Sequence, residues 1–290
     1  MTQPFDAGGT KAALDATLSW MSGLDKRDAR YAVDWMEVKE FGAAGKPAVV
    51  LIHPSLVTWD YFEYVIPLLG EDHHLVVPVM PGYNLDDASE FSSVEKIASE
   101  LDGWLLEHGI ERLHAVYGCS MGGSIALRMA VYGKARAEHY IMDGGITPYR
   151  LPYLLTRPIA LRDFLVVALG KLGGERLMAK AFSSTEFSED DLRYAANILD
   201  HCSYRTLWRT FDSCNNYRMP KTPVRFDGEI LYWYAEKERH ARKWDIAYMR
   251  DLVPQTEFRE LSGIDHGDMA LFHPERLAQA IGNLRADCTE

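Results

Sequence analysis

Short apolar runs alternate with segments of helical periodicity along most of the chain. The run Ala48–Ile52 is apolar at every position and rich in β-branched residues, which is typical of a strand buried on both faces of a parallel sheet. Similar runs predict further strands at 75–79, 113–117, 140–142, 230–234 and 256–261, with strand character also at 33–40. These strands are expected to lie between two layers of helices.

A helix is predicted between the strands at 75–79 and 113–117. The segment beginning at Ser92 has the pattern of a capping box, in which Ser92 caps the helix and Glu95 reaches back to it. Apolar residues at helical spacing continue this helix to Gly109. Because strands and helices alternate, the sequence predicts an α/β fold with a mostly parallel central sheet flanked by helices.

About 70 residues between the strands at 140–142 and 230–234 show helical periodicity and no strand pattern. Helices are predicted at 154–172 and 176–182, and a third from Ser188. We interpret residues 151–219 as a helical cap inserted into a core formed by 33–150 and 220–290. Residues 1–32 form a predicted N-terminal extension, with a short helix within 10–22.

Composition narrows the class of protein and its partners. The chain has 290 residues, of which 47% are hydrophobic and 25% charged, as in ordinary globular proteins. No apolar run approaches the ~20 residues of a membrane span, and Met1–Gly9 does not resemble a signal peptide. A net charge of −11 disfavours nucleic acid and anionic membranes as partners. The basic stretch Lys237–Lys243 is interrupted by acids, and we interpret it as a solvated helix face. The sequence does not indicate an oligomeric state.

The cysteines and the known ligand motifs predict neither a metal nor a cofactor. The four cysteines, Cys119, Cys202, Cys214 and Cys288, form no C-x-x-C pair and no regular disulfide framework. The chain contains no H-E-x-x-H motif, and its glycines near residue 120 lack the G-K-[ST] ending of a phosphate loop. A reducing cytoplasm is therefore the expected compartment.

The segment Gly118–Gly122 matches the motif G-x-S-x-G, with Ser120 at its centre. An apolar strand leads into the motif and a helical pattern leaves it, which is the setting of a nucleophile elbow. In this turn glycines avoid the collisions that a Cβ would cause. The hydroxyl of Ser120 is then presented at the carboxyl edge of the sheet, where α/β proteins bind ligands.

A serine hydroxyl needs a general base, and His266 is the candidate among ten histidines. It lies in the loop that follows the strand at 256–261. Of the other histidines, we expect His114 to pack in the core and predict a solvated position for those flanked by charge: His73, His74, His108, His139 and His240.

The base in turn needs a carboxylate to orient it and to stabilise its charged form. Glu238, a few residues beyond the strand at 230–234, is the preferred candidate, and Glu236 is the nearest alternative. Asp143, at the end of the strand at 140–142, is a third candidate.

An oxyanion hole and a substrate pocket complete the predicted site. The backbone N–H groups of Met121 and Ser55 are the expected oxyanion donors, since Pro54 has no N–H. The pocket is expected to be apolar, with His53 and Leu56 at its base. Apolar cap residues are expected to cover it: Leu154, Leu155, Phe164, Leu165, Leu177 and Phe182.

These features together resemble the α/β-hydrolase superfamily over roughly residues 33–150 and 220–286. The resemblance rests on His53-Pro54, Pro81-Gly82-Tyr83, the elbow, Glu236-Lys237-Glu238 and Gly263–His266. It implies that Ser120 is the nucleophile, His266 the base and Glu238 the acid, and that 151–219 is the family's cap. Two positions depart from the common pattern, because family members often have His-Gly in place of His53-Pro54 and usually Asp in place of Glu238.

The resemblance favours a serine hydrolase that cleaves a small-molecule ester or related acyl compound through an acyl-enzyme. Two alternatives stay open, namely an enzyme similar to hydroxynitrile lyases and an inactive homologue that binds a small ligand. The dehalogenase and epoxide hydrolase branches are disfavoured, because they use aspartate where this chain has Ser120.

Overall fold

The computed structural model describes residues 36–181 and 189–284. The predicted N-terminal extension lies outside these residues, as do positions 33–35 of the first predicted strand, Phe182 and the helix start at Ser188. The side chain of Leu177 also lies outside the description.

Within the described ranges, seven strands form one sheet in the order β1-β3-β2-β4-β5-β6-β7. Their bounds are β1 Val38–Phe41, β2 Ala48–Ile52, β3 His74–Pro78, β4 Arg112–Cys119, β5 Arg136–Asp143, β6 Glu229–Ala235 and β7 Glu257–Leu261. Strand β1 pairs with β3 antiparallel, and all other pairs are parallel. The predicted mostly parallel α/β sheet is confirmed.

Nine α-helices are assigned within the described residues. They are α1 Ile66–Leu69, α2 Val94–Glu107, α3 Met121–Tyr132, α4 Tyr153–Ala181, α5 Glu189–His201, α6 Tyr204–Asn216, α7 Lys243–Leu252, α8 Asp268–Leu271 and α9 Pro274–Gly282. Single 3-10 turns occur at Trp59–Phe62 and Glu236–Glu238. None of the helices in this part of the chain is long and apolar enough to cross a membrane.

The sheet forms the centre of the core. Every residue of β2 and β3 is buried, as continuous apolar runs in a parallel sheet predict. One face of the sheet packs against the Trp59–Phe62 turn, α1, α8 and α9. Strands β4 and β5 are longer than their apolar runs, because the polar residues Arg112 and Arg136 pair with each other at the strand starts.

The N-cap of α2 lies one residue later than predicted. Ser93, not Ser92, is the cap, and its side chain accepts a hydrogen bond from the Lys96 N–H. Two adjacent serines fit the same local pattern, so sequence spacing does not distinguish them. The helix ends at Glu107, two residues before the predicted end at Gly109.

Helices α4, α5 and α6 lie between β5 and β6 in the chain, at the position of the predicted insertion. The first is a single helix of 29 residues where two were predicted. The last docks on the loop after β3, where Tyr83 Oη and Thr210 Oγ1 share a hydrogen bond and the Phe91 N–H donates to Thr206.

Two of the cap residues predicted to cover the pocket face solvent instead. Leu154 is 80% exposed and Leu155 is 60% exposed, because they lie on the outer side of α4. Phe164 on the same helix is buried and packs edge-on against Trp208. Helical periodicity locates an apolar face, but it does not tell which neighbour that face contacts.

Three of the histidines predicted to be solvated are in fact buried: His73, His74 and His139. Two of them are paired with acids on neighbouring strands, since His74 Nε2 lies 2.8 Å from Glu40 and His139 Nδ1 lies 3.1 Å from Glu229. His108 and His240 are exposed, as predicted.

Candidate active site

Ser120 stands at the sharp turn that joins β4 to α3. Its backbone angles are φ 52° and ψ −112°, in the region that residues with a Cβ rarely adopt. Such a conformation costs roughly 1–3 kcal/mol and persists only where the surrounding structure enforces it. Here the Ser120 N–H donates to the Asp143 carbonyl at 2.8 Å, which fixes the turn to the end of β5.

The turn also brings α3 against the loop that follows β2. A Cβ on Gly122 would lie 2.2 Å from the Ile52 carbonyl oxygen, so only glycine permits this approach. The loop that continues through His53 to Leu56 therefore begins beside the first turn of α3. The N–H groups of a first helical turn have no partner within the helix, and Met121 supplies the first of them here.

Leu56 in this loop has a positive φ of 67°. Among the non-glycine residues that the structure describes, it shares this property with Ser120. Backbone strain of this kind collects at sites where geometry matters for function. Ser55, the predicted second oxyanion donor, directly precedes it, and both residues are partly exposed.

His266 and Glu238 form a hydrogen-bonded pair. His266 Nδ1 lies 2.9 Å from Glu238 Oε1. An ionised carboxylate only accepts hydrogen bonds, so Nδ1 carries the proton and Nε2 is left as an acceptor. The side chain of Glu238 is only 14% exposed whereas that of His266 is 40% exposed, so the acid is enclosed and the imidazole is reachable.

The order of the strands places Ser120, Gly144 and Glu238 just beyond the ends of three neighbouring strands. Strand β5 lies between β4, which ends before Ser120, and β6, which leads into the Glu236–Glu238 turn. The His266 ring rests on Gly144, directly after β5, because a Cβ there would be 2.7 Å from its Nδ1. The ring therefore lies at the carboxyl edge of the sheet, against the end of β5 and beside Glu238.

The structure distinguishes the three candidate acids by position. Glu238 contacts His266, Glu236 points into solvent, and Asp143 is buried below the edge. Asp143 accepts a hydrogen bond of 2.6 Å from the Tyr117 hydroxyl. Burial raises the pKa of Asp143 to about 6, against the opposing effects of this hydrogen bond and of the nearby imidazole.

Arg242 is a residue of the site that the sequence analysis missed. It was placed on a solvated face, but its side chain is only 19% exposed and lies 3.3 Å from Glu238 and 3.4 Å from Asp245. Burial by itself would raise the pKa of Glu238. The hydrogen bond and charge of His266, together with the charge of Arg242, outweigh burial and hold the pKa of Glu238 below its usual value.

Two hydrogen bonds hold the loop that carries His266. The Asp268 carboxylate accepts a hydrogen bond of 2.6 Å from the Asp265 N–H, and the Tyr61 hydroxyl donates to the Gly267 carbonyl at 2.7 Å. Sequence could have suggested Asp268, because an acidic side chain can reach back to a backbone N–H three residues earlier, as in a capping box. Tyr61 is more than 200 positions away and leaves no such signal.

His53, which the sequence analysis placed at the base of the pocket, has no exposed surface. Its Nε2 accepts a hydrogen bond from the Met80 N–H at 3.1 Å, so its Nδ1 carries the proton that bonds to the Pro54 carbonyl at 2.7 Å. Burial lowers the pKa of His53 to about 4, which keeps the ring neutral. His53 therefore braces the loop after β2 against the end of β3 rather than offering its ring to a ligand.

Substitution of Gly144 by alanine is expected to lower kcat/KM roughly 100-fold, because displacing a reacting group by about 1 Å has this effect. The new Cβ would meet the His266 ring, and alanine would be strained at φ 58°. Gly109→Ala is the matched control, since Gly109 has φ 73° and open space around it. Both variants should lose similar stability in thermal denaturation, and equal catalytic rates in the two would contradict the assigned contact.

Residues 49–280 match the sequence profile of the alpha/beta hydrolase family. An uncharacterised hydrolase of Saccharomyces cerevisiae is 27% identical over 109 residues, which are 37% of this chain and 37% of the yeast protein. The match thus spans about a third of the length of this curated relative.

Solved structures show the same fold. An α/β-hydrolase-family protein of Desulfitobacterium hafniense superposes with a TM-score of 0.67 at 20% identity, covering 85% of this chain and 98% of that one. A carboxylesterase structure from Nitrososphaera gargenis gives a TM-score of 0.63 at 15% identity, covering 85% and 93%. Because the family profile matches residues 49–280, most of the chain, the protein belongs to the α/β-hydrolase family.

Proposed function

We propose that this protein is a serine hydrolase that cleaves a small or medium-sized ester, or a related acyl compound, through an acyl-enzyme. One observation carries the proposal: a strained serine at the elbow shares a sheet edge with a histidine whose Nδ1 is bonded to a buried carboxylate. This is the arrangement that activates a serine hydroxyl on several unrelated folds. The chemistry needs no cofactor and no metal.

In the proposed mechanism, Ser120 Oγ attacks the ester carbonyl while His266 Nε2 takes its proton. Glu238 holds the imidazole in the correct tautomer and stabilises the imidazolium that forms. The N–H groups of Met121 and Ser55 bind the oxyanion, and His266 returns the proton to the leaving alcohol. Water, deprotonated by His266, then attacks the acyl-enzyme and restores Ser120.

The substrate is proposed to be a small molecule, neutral at its reacting end. The net charge of −11 disfavours strongly anionic substrates at long range, and it also disfavours nucleic acid and anionic membranes as partners. The similarity to a carboxylesterase supports an ester, although that likeness concerns the fold. Three buried free thiols, Cys119, Cys202 and Cys214, are compatible with the reducing cytoplasm that we propose as its compartment.

Covalent labelling tests the nucleophile directly. A fluorophosphonate probe is expected to label the protein once, at Ser120, and a peptide map identifies the site. An inactive ligand-binding homologue would not be labelled. An enzyme similar to hydroxynitrile lyases would release cyanide from cyanohydrins without accumulating an acyl-enzyme from esters.

The dependence of the rate on acyl length tests the closed pocket. With p-nitrophenyl esters from acetate to palmitate, kcat/KM is expected to peak at short or medium chains, because the cap that we propose for α4–α6 would limit the volume for the acyl group. A steady rise towards palmitate, with activation at a lipid interface, would contradict the closed pocket and indicate an open groove.

A further inference from the structure

Arg242 contacts three parts of the candidate site that come from different places in the chain. It lies between the turn that follows β6 and helix α7, and its backbone N–H donates to the Glu238 carbonyl at 2.8 Å. Its Nη1 lies 3.4 Å from the Gly144 carbonyl oxygen and 3.4 Å from the Asp245 carboxylate. One largely enclosed cation therefore faces the proposed acid, the glycine on which the imidazole rests, and a second acid on α7.

The Nε–H group of Arg242 is a buried donor without a hydrogen-bond partner in the described ranges, although it lies 3.3 Å from Glu238 Oε1. Unpaired buried donors are uncommon in native structures, and each one calls for an explanation. The same oxygen, Oε1, lies 2.9 Å from His266 Nδ1 and accepts its proton. The charge of Arg242 thus acts on the carboxylate without taking its hydrogen bond away from the imidazole.

Asp245 holds the other side of the guanidinium. Its Oδ1 accepts hydrogen bonds of 2.8 Å from both the N–H and the hydroxyl of Thr147, while its Oδ2 faces Arg242. Thr147 belongs to the loop after β5, which also carries the glycine in contact with the imidazole. Arg242 and Asp245 together therefore connect Glu238 to the loop against which the base is packed.

We propose that Arg242 is a positioning residue of the proposed triad, which keeps the Glu238 carboxylate ionised and in line with His266 without touching the reacting atoms. This inference rests on the proposed serine-hydrolase function. Ionisable groups from β4, β5, β6, α7 and the loop after β7 surround the pair of Glu238 and Arg242, namely Cys119, Asp143, Tyr232, Asp245 and His266. None of these five carries a permanent positive charge, so the constant cation at the acid is Arg242.

Arg242→Met removes the charge and keeps a side chain of similar length. We expect kcat for p-nitrophenyl acetate to fall roughly tenfold at about pH 8 with little change in KM, because a displaced acid misplaces the base. The loss should be roughly threefold greater at about pH 6, since without the cation the pair of His266 and Glu238 binds a proton more readily and cannot then act as the base. Arg242→Lys keeps the charge and should recover the rate to within about threefold, with the pH dependence of the unaltered protein.

Asp245→Asn changes the same charges in the opposite sense and keeps an acceptor for Thr147. Without this negative charge the effect of Arg242 is stronger, so the ratio of the rate at about pH 6 to that at about pH 8 should rise, whereas Arg242→Met lowers it. Arg239→Met is the matched control, because Arg239 lies three residues before Arg242 and pairs with Glu260 at the surface. It should leave the rate and its pH dependence unchanged.

A readout without substrate is the low-field NMR signal of the His266 Nδ1 proton, which a bond to a carboxylate produces. It should weaken in Arg242→Met and persist in Arg239→Met. Thermal melts show whether each variant is folded. If Arg242→Met does not fold, Asp245→Asn decides, and an unchanged ratio of rates in that variant would overturn the proposal.

Fluorophosphonate labelling separates this proposal from the proposed function. An unaltered protein that is neither labelled nor active on esters would refute the serine hydrolase, and the NMR signal would then still test the contact between Arg242 and the acid. A labelled, active protein whose Arg242→Met and Arg239→Met variants share one rate and one pH dependence would refute the positioning role alone.

Discussion

Replacement of Ser120 by alanine is expected to lower ester hydrolysis by a factor on the order of 10⁴ or more and to abolish labelling by fluorophosphonates. Loss of the nucleophile in a serine triad leaves only the oxyanion hole and substrate binding to accelerate the reaction. The elbow should still fold, because alanine carries the same Cβ as serine in the strained turn and the Ser120 side chain caps no helix. Rates with p-nitrophenyl acetate and a thermal melt test both statements.

Cys119→Ala is the control for this experiment. Cys119 adjoins the serine but is fully buried on the inner side of the sheet, and burial raises the pKa of its thiol well above the usual value. We expect a folded enzyme with activity close to that of the unaltered protein, at a stability cost of about 1 kcal/mol. Activity of Ser120→Ala within tenfold of the unaltered protein would refute the proposed nucleophile.

Glu238→Gln is expected to lower kcat by roughly 10³–10⁴, as acid-to-amide changes do in serine triads. A glutamine amide can donate to Nδ1 of His266, which favours the tautomer that carries its proton on Nε2 and cannot act as the base. The substitution also removes the carboxylate that lies 3.3 Å from Arg242. Steady-state kinetics and a thermal melt separate the loss of chemistry from the loss of stability.

Two matched substitutions show whether the acid is correctly assigned. Asp143→Asn keeps an acceptor for the Tyr117 hydroxyl and should cost less than tenfold in rate, because Asp143 is bonded to tyrosine. Glu236→Gln alters an exposed side chain and should be neutral. A severe loss in Asp143→Asn together with a mild loss in Glu238→Gln would move the acid to the end of β5.

Local sequence patterns were sufficient for the strands and for the elbow. Ala48–Ile52 is a strand with the predicted bounds, because a short apolar run rich in β-branched residues is typical of a strand buried on both faces of a sheet. The G-x-S-x-G motif predicted the turn at Ser120 for an equally local reason, since the strand and the helix that flank it are adjacent in the chain.

Features that depend on distant partners were not predictable. The sequence predicts Arg242 to be one more charge in an exposed run, and only the fold brings it to Glu238 and Asp245. His139 reads as solvated, yet the pairing of β5 with β6 buries it beside Glu229. Leu154 reads as a pocket residue, but its exposure depends on how α4 is turned relative to its neighbours. In each case a contact across the fold, absent from the local pattern, decides the outcome.

The position of α4–α6 between two strands of the core has a consequence for how such a protein can diverge in evolution. The excursion begins after β5 and ends before β6, so Ser120 precedes it while Glu238 and His266 follow it. Mutations, insertions or even replacement of that one contiguous stretch leave Ser120, Glu238 and His266 at the ends of their own strands. Selection for a new substrate can therefore act on one block of codons while the three residues of the proposed triad are inherited unchanged.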